Sequence, residues 1–170
     1  EAKLGFSLEA DTEAGIERLR EALMEVPAAR LFDETLKLFL TGHGARSLEV
    51  LRRRGLLGVL YPGVEKFLRQ HPDSLVEKLL VAGLENTDQR VQAGKSVTPT
   101  FLFTLLLYGP IAGYIEKQPQ DKWSDVGTIL DGCDHALREA LHRVMIPKRF
   151  SLGVRDMFAL QPQLEHPRSR

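Results

Sequence analysis

The stretch RLFDETLKLFL, residues 30–40, decides the fold class. At about 100° per residue, Leu31, Phe32, Leu36, Leu38, Phe39 and Leu40 cover more than half of a helix. Arg30, Asp33, Glu34 and Lys37 then share one narrow charged stripe. Such a stripe is either a solvated face or one wall of a site, and periodicity leaves both readings open.

Working outward, almost every segment carries helix punctuation. Upstream, Asp11 or Thr12 caps a helix with Ile16, Leu19 and Leu23 on one face, and Pro27 takes the first position of the next. Gly42 ends that helix in the left-handed conformation, and Gly55 stops a short helix over residues 45–54. Asp73 or Ser74 starts a longer helix running towards Val91. Thr98 caps another through Phe101 and Leu107, which Gly109-Pro110 is expected to kink or break. Ser124 or Asp125 opens a helix that Pro147 ends, and Ser151 opens the last. No segment shows sustained period-two alternation, so strands have no support. The expected fold is all-α, an irregular multi-helix bundle with short connections.

At 170 residues, the chain can bury roughly 70% of its unfolded surface and needs no staple. Cys133 is the single cysteine, which excludes an internal disulfide and fits a reducing cytoplasm. Residues 96–115 carry no charge, the length of a bilayer span, but they contain Pro99, Gly109, Pro110 and Gly113 and open on a Thr-Pro helix start. They are expected to form a buried core helix rather than a membrane segment.

Two apparent motifs fail on spacing. Ala93 to Ser96 (AGKS) resembles the end of a phosphate-binding loop, yet Gln89 occupies the position of the required glycine, and a helix precedes it where a strand should. Glu139 and His142 form one Glu-x-x-His, with Asp131 and His135 on the preceding turns, but a di-metal bundle needs a second copy. No metal site is expected.

Charge is balanced at 23 bases and 23 acids, but it is unevenly placed. Residues 9–34 hold eight acids against three bases, and residues 138–170 hold seven bases against three acids. A neutral total therefore leaves room for a local anion-binding surface. Arg52, Arg53 and Arg54 close a helix, where cations also complement the dipole. Residues 146–150 (IPKRF) put Lys148 and Arg149 beside an aromatic ring at a helix junction, a corner able to hold phosphate and stack a base.

The ordered segments AKLGF, VPAARLFDETLKLFLTGHG, GLLGVLYPG, ENTDQRV, VTPTFLF and IPKRFSLGVRDMFALQP resemble the C-terminal part of bacterial poly(A) polymerases. These are class II nucleotidyltransferases, the superfamily of the tRNA CCA-adding enzymes. The resemblance implies a neck over residues 1–55 and an RNA-guiding body over residues 56–170, cut before a basic tail that follows Gln161-Pro162 in the family. It also implies that the family's catalytic head, with its Gly-Ser motif, its Asp-x-Asp pair holding two Mg²⁺ and its base-reading Glu-Asp-x-x-Arg, lies upstream of Glu1. Both ends of the sequence are thus expected to be cut from something larger. ATP and Mg²⁺ belong to the whole enzyme, and no cofactor and no AMP transfer are expected of this chain alone.

Carried onto this sequence, the neck motif is Arg30, Glu34 and Lys37, supporting the nucleotide-reading segment. The expected RNA contacts are Lys148 and Arg149, then Arg52, Arg53, Arg54 and Arg155. The implied partners are RNA 3′ ends and the catalytic head, with no membrane, in the cytoplasm. A CCA-adding enzyme and a free-standing helical RNA- or protein-binding module are the alternatives.

Overall fold

The structure, a computed structural model, describes residues 15, 18, 20 and 22–165, with side chains to residue 161. The expected cap at Asp11 or Thr12, and Ile16 and Leu19, lie outside the described residues. Among the described residues, helical backbone at residues 22–25 is followed by eight α-helices: α1 (Ala28–Phe39), α2 (Gly44–Arg53), α3 (Leu57–Leu60), α4 (Pro62–Gln70), α5 (Leu75–Gln92), α6 (Pro99–Ile115), α7 (Val126–Leu141) and α8 (Lys148–Glu165). A single 3₁₀ turn, Gln120–Lys122, precedes α7. No strand occurs among the described residues, and the all-α expectation holds.

Helix α6 is the axis of the bundle. It is apolar on every side, and it packs against α4, α5, α7 and α8. Leu102, Phe103, Leu105, Leu106, Leu107 and Ile111 are all buried along it. A helix hydrophobic all round needs protein on all sides, which accounts for the uncharged run. Among the described residues, no helix is long and apolar enough to cross a membrane.

The expected break at Gly109-Pro110 does not occur, because α6 runs through Pro110 to Ile115. Proline removes one helical hydrogen bond, but tertiary packing compensates locally. A side chain at Gly109 would meet the Phe67 ring at 2.5 Å, so glycine is what lets the α4 ring lie against this turn.

The local caps fall where the sequence places them. The side chains of Ser74, Thr98 and Asp125 accept hydrogen bonds from the backbone N–H of Glu77, Phe101 and Thr128, each three residues on as capping requires. Gly42 and Gly55 have φ of 89° and 66°. Three boundaries differ from expectation. Helix α1 starts one residue later, with Pro27 as its cap. Helix α7 ends at Leu141, well before Pro147, and α8 starts at Lys148, not Ser151. Pro147 supplies the carbonyl that opens α8, accepting from the N–H of Phe150 and Ser151, while the Ser151 hydroxyl donates back to the Lys148 carbonyl at 3.1 Å. Ser151 therefore sits inside the helix, bonded to the preceding turn.

The opening stretch behaves as its periodicity demands. Leu31, Thr35 and Phe39 are buried, and Phe32, Leu36, Leu38 and Leu40 are half-buried against the core. Thr35 is the polar exception on this face. Its hydroxyl donates to the Leu31 carbonyl at 2.8 Å and accepts from the Tyr61 hydroxyl at 2.9 Å. Tyr61, between α3 and α4, is 1% exposed, and burial pushes its phenol pKa well above the ordinary value.

Tyr61→Phe is expected to cost about 1 kcal/mol, a typical net hydrogen bond. It should lower Tm by about 2–4 °C in a domain of this size. The raised phenol pKa gives the sign of the pH effect. Tyr61 contributes fully below the unfolded tyrosine pKa of about 10, and that contribution is lost as pH rises through the folded value. The wild-type advantage in thermal melts should therefore shrink under strongly alkaline conditions.

Candidate nucleic-acid interface

Helix α1 and the start of α8 meet at one corner of the bundle. The N–H of Met145 donates to the Ala28 carbonyl at 3.0 Å. The rings of Phe103, Phe32 and Phe150 form a ladder with centroids 5.9 Å apart at each step. This ladder joins the core helix, the opening stretch and the basic corner. The Arg149 guanidinium lies 4.6 Å from the centroid of Phe150, within cation–π range. Phe150 is thus already engaged by Phe32 and Arg149, and its role here is packing and holding Arg149. Lys148 and Arg149 are both exposed. Arg30 is exposed in the first turn of α1, on the helix whose Ala28 carbonyl ties to this corner.

The charged stripe divides differently from the motif's spacing. Glu34 pairs with Lys37 at 2.9 Å, and among the described residues Arg30 and Glu34 form no ion pair. Arg30 is exposed. Its cationic head is available to another segment or to a phosphate.

The other expected RNA contacts are distributed. Arg52, at the end of α2, is ion-paired with Glu77 in the first turn of α5. Glu77 also accepts from the N–H of Asp73 at 2.7 Å. Arg155 on α8 is ion-paired with Asp134 on α7, and this holds its pKa above the ordinary value. Both arginines thus join helices, and a phosphate would compete with a carboxylate for either. Arg53 is exposed and Arg54 half-buried, beside Arg52 at the end of α2. The structure brings Lys148 and Arg149 together beside the α1 start, and it places Arg52 to Arg54 on a different junction, that of α2 with α5.

Three further polar residues hold this framework, and periodicity reveals none of them. Asp88, on α5, accepts from the N–H groups of Gly44 and Ala45 at 2.6 and 3.0 Å. It thereby caps α2, whose own cap residue His43 makes no side-chain cap bond. Gln92, one turn further on, donates to the Gly42 carbonyl at 2.7 Å. Arg143 donates to the carbonyls of Leu23, Met24 and Val59 at 2.6, 3.3 and 3.2 Å. The only sequence signal was the ENTDQRV segment, which contains Asp88.

Two family models match this chain. One is described as "Probable RNA and SrmB- binding site of polymerase A" and covers residues 5–68. The other, "Polymerase A arginine-rich C-terminus", covers residues 123–170. The chain belongs to the bacterial poly(A) polymerase family. Among curated relatives, Poly(A) polymerase I of Salmonella typhi is 30% identical over 184 residues, and that of Escherichia coli O157:H7 is 31% identical over 184. Poly(A) polymerase I of Haemophilus influenzae is 32% identical over 189 residues. Each alignment takes in 99% of this chain, which spans 39–40% of the relatives' length.

ATP and Mg²⁺ are the ligands such a family implies. Among the described residues, no group of three or more His, Cys, Asp or Glu is arranged to hold a metal ion. No chemical step is assigned to the described residues.

Proposed function

We propose that this chain is the RNA-binding and supporting part of a poly(A) polymerase, whose whole form uses Mg²⁺ and adds AMP from ATP to RNA 3′ ends in the cytoplasm. The observation that carries the reading is the pair of family models in register at both ends of one helical bundle. In this reading residues 1–55 are the neck. Arg30 reaches the nucleotide-reading segment of the catalytic head, and the Glu34 and Lys37 pair holds the stripe beside it. Residues 56–170 are the body that guides the RNA backbone. Lys148 and Arg149 are the leading phosphate contacts, because they are exposed at one corner. Arg52, Arg53, Arg54 and Arg155 follow, and Arg52 and Arg155 must each first leave a carboxylate.

Phosphoryl transfer relies on positioning and on metal-held charge neutralisation, so the chain by itself is expected to leave an RNA 3′ end unextended with ATP and Mg²⁺. Appearance of a ladder of longer products would overturn that assignment. Binding itself is tested by titrating single-stranded RNA at several salt concentrations. Affinity should fall about tenfold or more between 50 and 200 mM salt, and the double change Lys148→Ala, Arg149→Ala should reduce the salt slope by about 1–2. An affinity indifferent to salt would refute a phosphate-led mode. CTP incorporation alongside ATP by the whole enzyme would point instead to a CCA-adding relative.

A further inference from the structure

Away from the basic corner, a cleft of about 380 Å³ opens between α4, α6 and α7. That volume is within the range of small-molecule sites. Two ring pairs line it. Phe67 and His71 stack with centroids 4.4 Å apart, and Tyr114 and His135 lie 5.2 Å apart. The His71 ring is held in place, its Nδ1 lying 3.1 Å from the Phe67 carbonyl oxygen. His135 is exposed, and His71 and Tyr114 are half-buried, so each offers ring surface to a ligand. Glycine keeps the wall thin, since a side chain at Gly113 would meet the Phe67 ring at 3.2 Å.

The polar groups around these rings are of two kinds. Lys66 and Lys117 are exposed cations on the rim. Gln70, Glu116 and Glu139 supply hydrogen-bond acceptors. The Glu139 carboxylate lies against Gly63, where an added side chain would meet it at 2.5 Å. Gly63 is in the first turn of α4, where the helix's positive end favours a carboxylate, and Lys66 and Lys117 are the groups of the lining able to hold an anion. Stacking surface, cations and acceptors within one cleft match the three parts of a nucleotide: a flat base, a phosphate and an exocyclic amine.

We propose that this cleft binds a single nucleotide whose base carries an exocyclic amine. The base stacks on the His71 or the Tyr114 and His135 rings, and the phosphate sits at Lys66 and Lys117. The nucleotide is either free or one unstacked unit of a strand. Only the second source rests on the RNA-binding reading above.

The test uses this chain with two probes. One is a fluorescein-labelled oligoadenylate of about ten nucleotides, followed by anisotropy. The other is adenosine 5′-monophosphate, followed by NMR of the histidine ring protons. The variants are His135→Ala and the pair Lys66→Ala, Lys117→Ala, all at exposed positions. If the nucleotide is a strand unit, each variant weakens oligoadenylate binding about fivefold or more, as expected for a lost stacking partner. If a free nucleotide suffices, the monophosphate shifts the His71 and His135 ring signals. Wild-type binding that the variants leave unchanged, together with unshifted histidines, overturns the cleft and leaves the RNA reading standing. If the wild type binds no oligoadenylate, the RNA reading fails, and the monophosphate arm alone decides the cleft: shifts support it, and their absence ends it.

Discussion

Asp88→Ala is expected to lower stability by about 2–4 kcal/mol, and Tm by about 5–15 °C. The Asp88 carboxylate joins two helices distant in sequence. It accepts from both Gly44 and Ala45, the first two N–H groups of α2. Those groups have no partner within their own helix. Gly44 is buried, so its N–H would lose its partner without gaining free access to water. Loss of a charged acceptor at a helix N-terminus also removes the favourable dipole term. Asp88→Asn keeps one acceptor oxygen and should retain about half of the stabilisation. The check is a pair of urea titrations, with the midpoint falling and the m-value unchanged. Hydrogen exchange at Gly44 and Ala45 should accelerate beyond the global change. An unmoved midpoint would mean that α5 does not tether α2 through this side chain.

The neighbouring glycine constrains the same joint. A side chain at Gly44 would meet the Phe39 carbonyl oxygen at 2.7 Å and Asp88 Oδ1 at 3.2 Å. Backbone and carboxylate thus both require the empty space. Changes at positions 44 and 88 share partners and should not be additive.

The second large effect is expected at Arg143. One guanidinium closes on three carbonyls, those of Leu23 and Met24 ahead of α1 and of Val59 within α3. Arg143→Ala should cost about 2–4 kcal/mol, combining charged hydrogen bonds with lost packing of the stem. Arg143→Lys should recover less than half, because an ammonium lacks the planar fork that spans several acceptors. The readout that separates this joint from general destabilisation is limited proteolysis. Cleavage around residues 22–27 should rise well before global unfolding, since both Leu23 and Met24 lose their tie. Cleavage that tracks only the global transition would argue against the joint.

These two side chains also explain why part of the molecule was hidden in the sequence. Ser74, Thr98 and Asp125 each bond an N–H three residues away, so their role is written in local spacing. Asp88 reaches 44 residues back, and Arg143 reaches 84 to 120. No periodicity encodes such a contact. The candidate interface divides in the same way. Lys148 and Arg149 were legible as an exposed basic pair. Arg52 and Arg155 were expected as further RNA contacts, but they are ion-paired across helices with Glu77 and Asp134. The ring-lined cleft draws Lys66 and Phe67 from α4, Tyr114 from α6 and His135 from α7, so no single segment could announce it.

The amino-acid sequence by itself determined the helical class, the caps at Ser74, Thr98 and Asp125 and the buried character of residues 96–115. Each follows from the 3.6-residue period or from a side chain bonding its own turn. Its ordered motifs also carried the family resemblance. Only the tertiary structure decided that α6 continues through Pro110, because packing against Phe67 outweighs a local propensity against proline. The opening stripe shows both levels at once. Its period set Leu31, Thr35 and Phe39 inward, and Glu34 pairs with Lys37 rather than with Arg30, because side-chain geometry, not spacing alone, chooses among partners on one helical face.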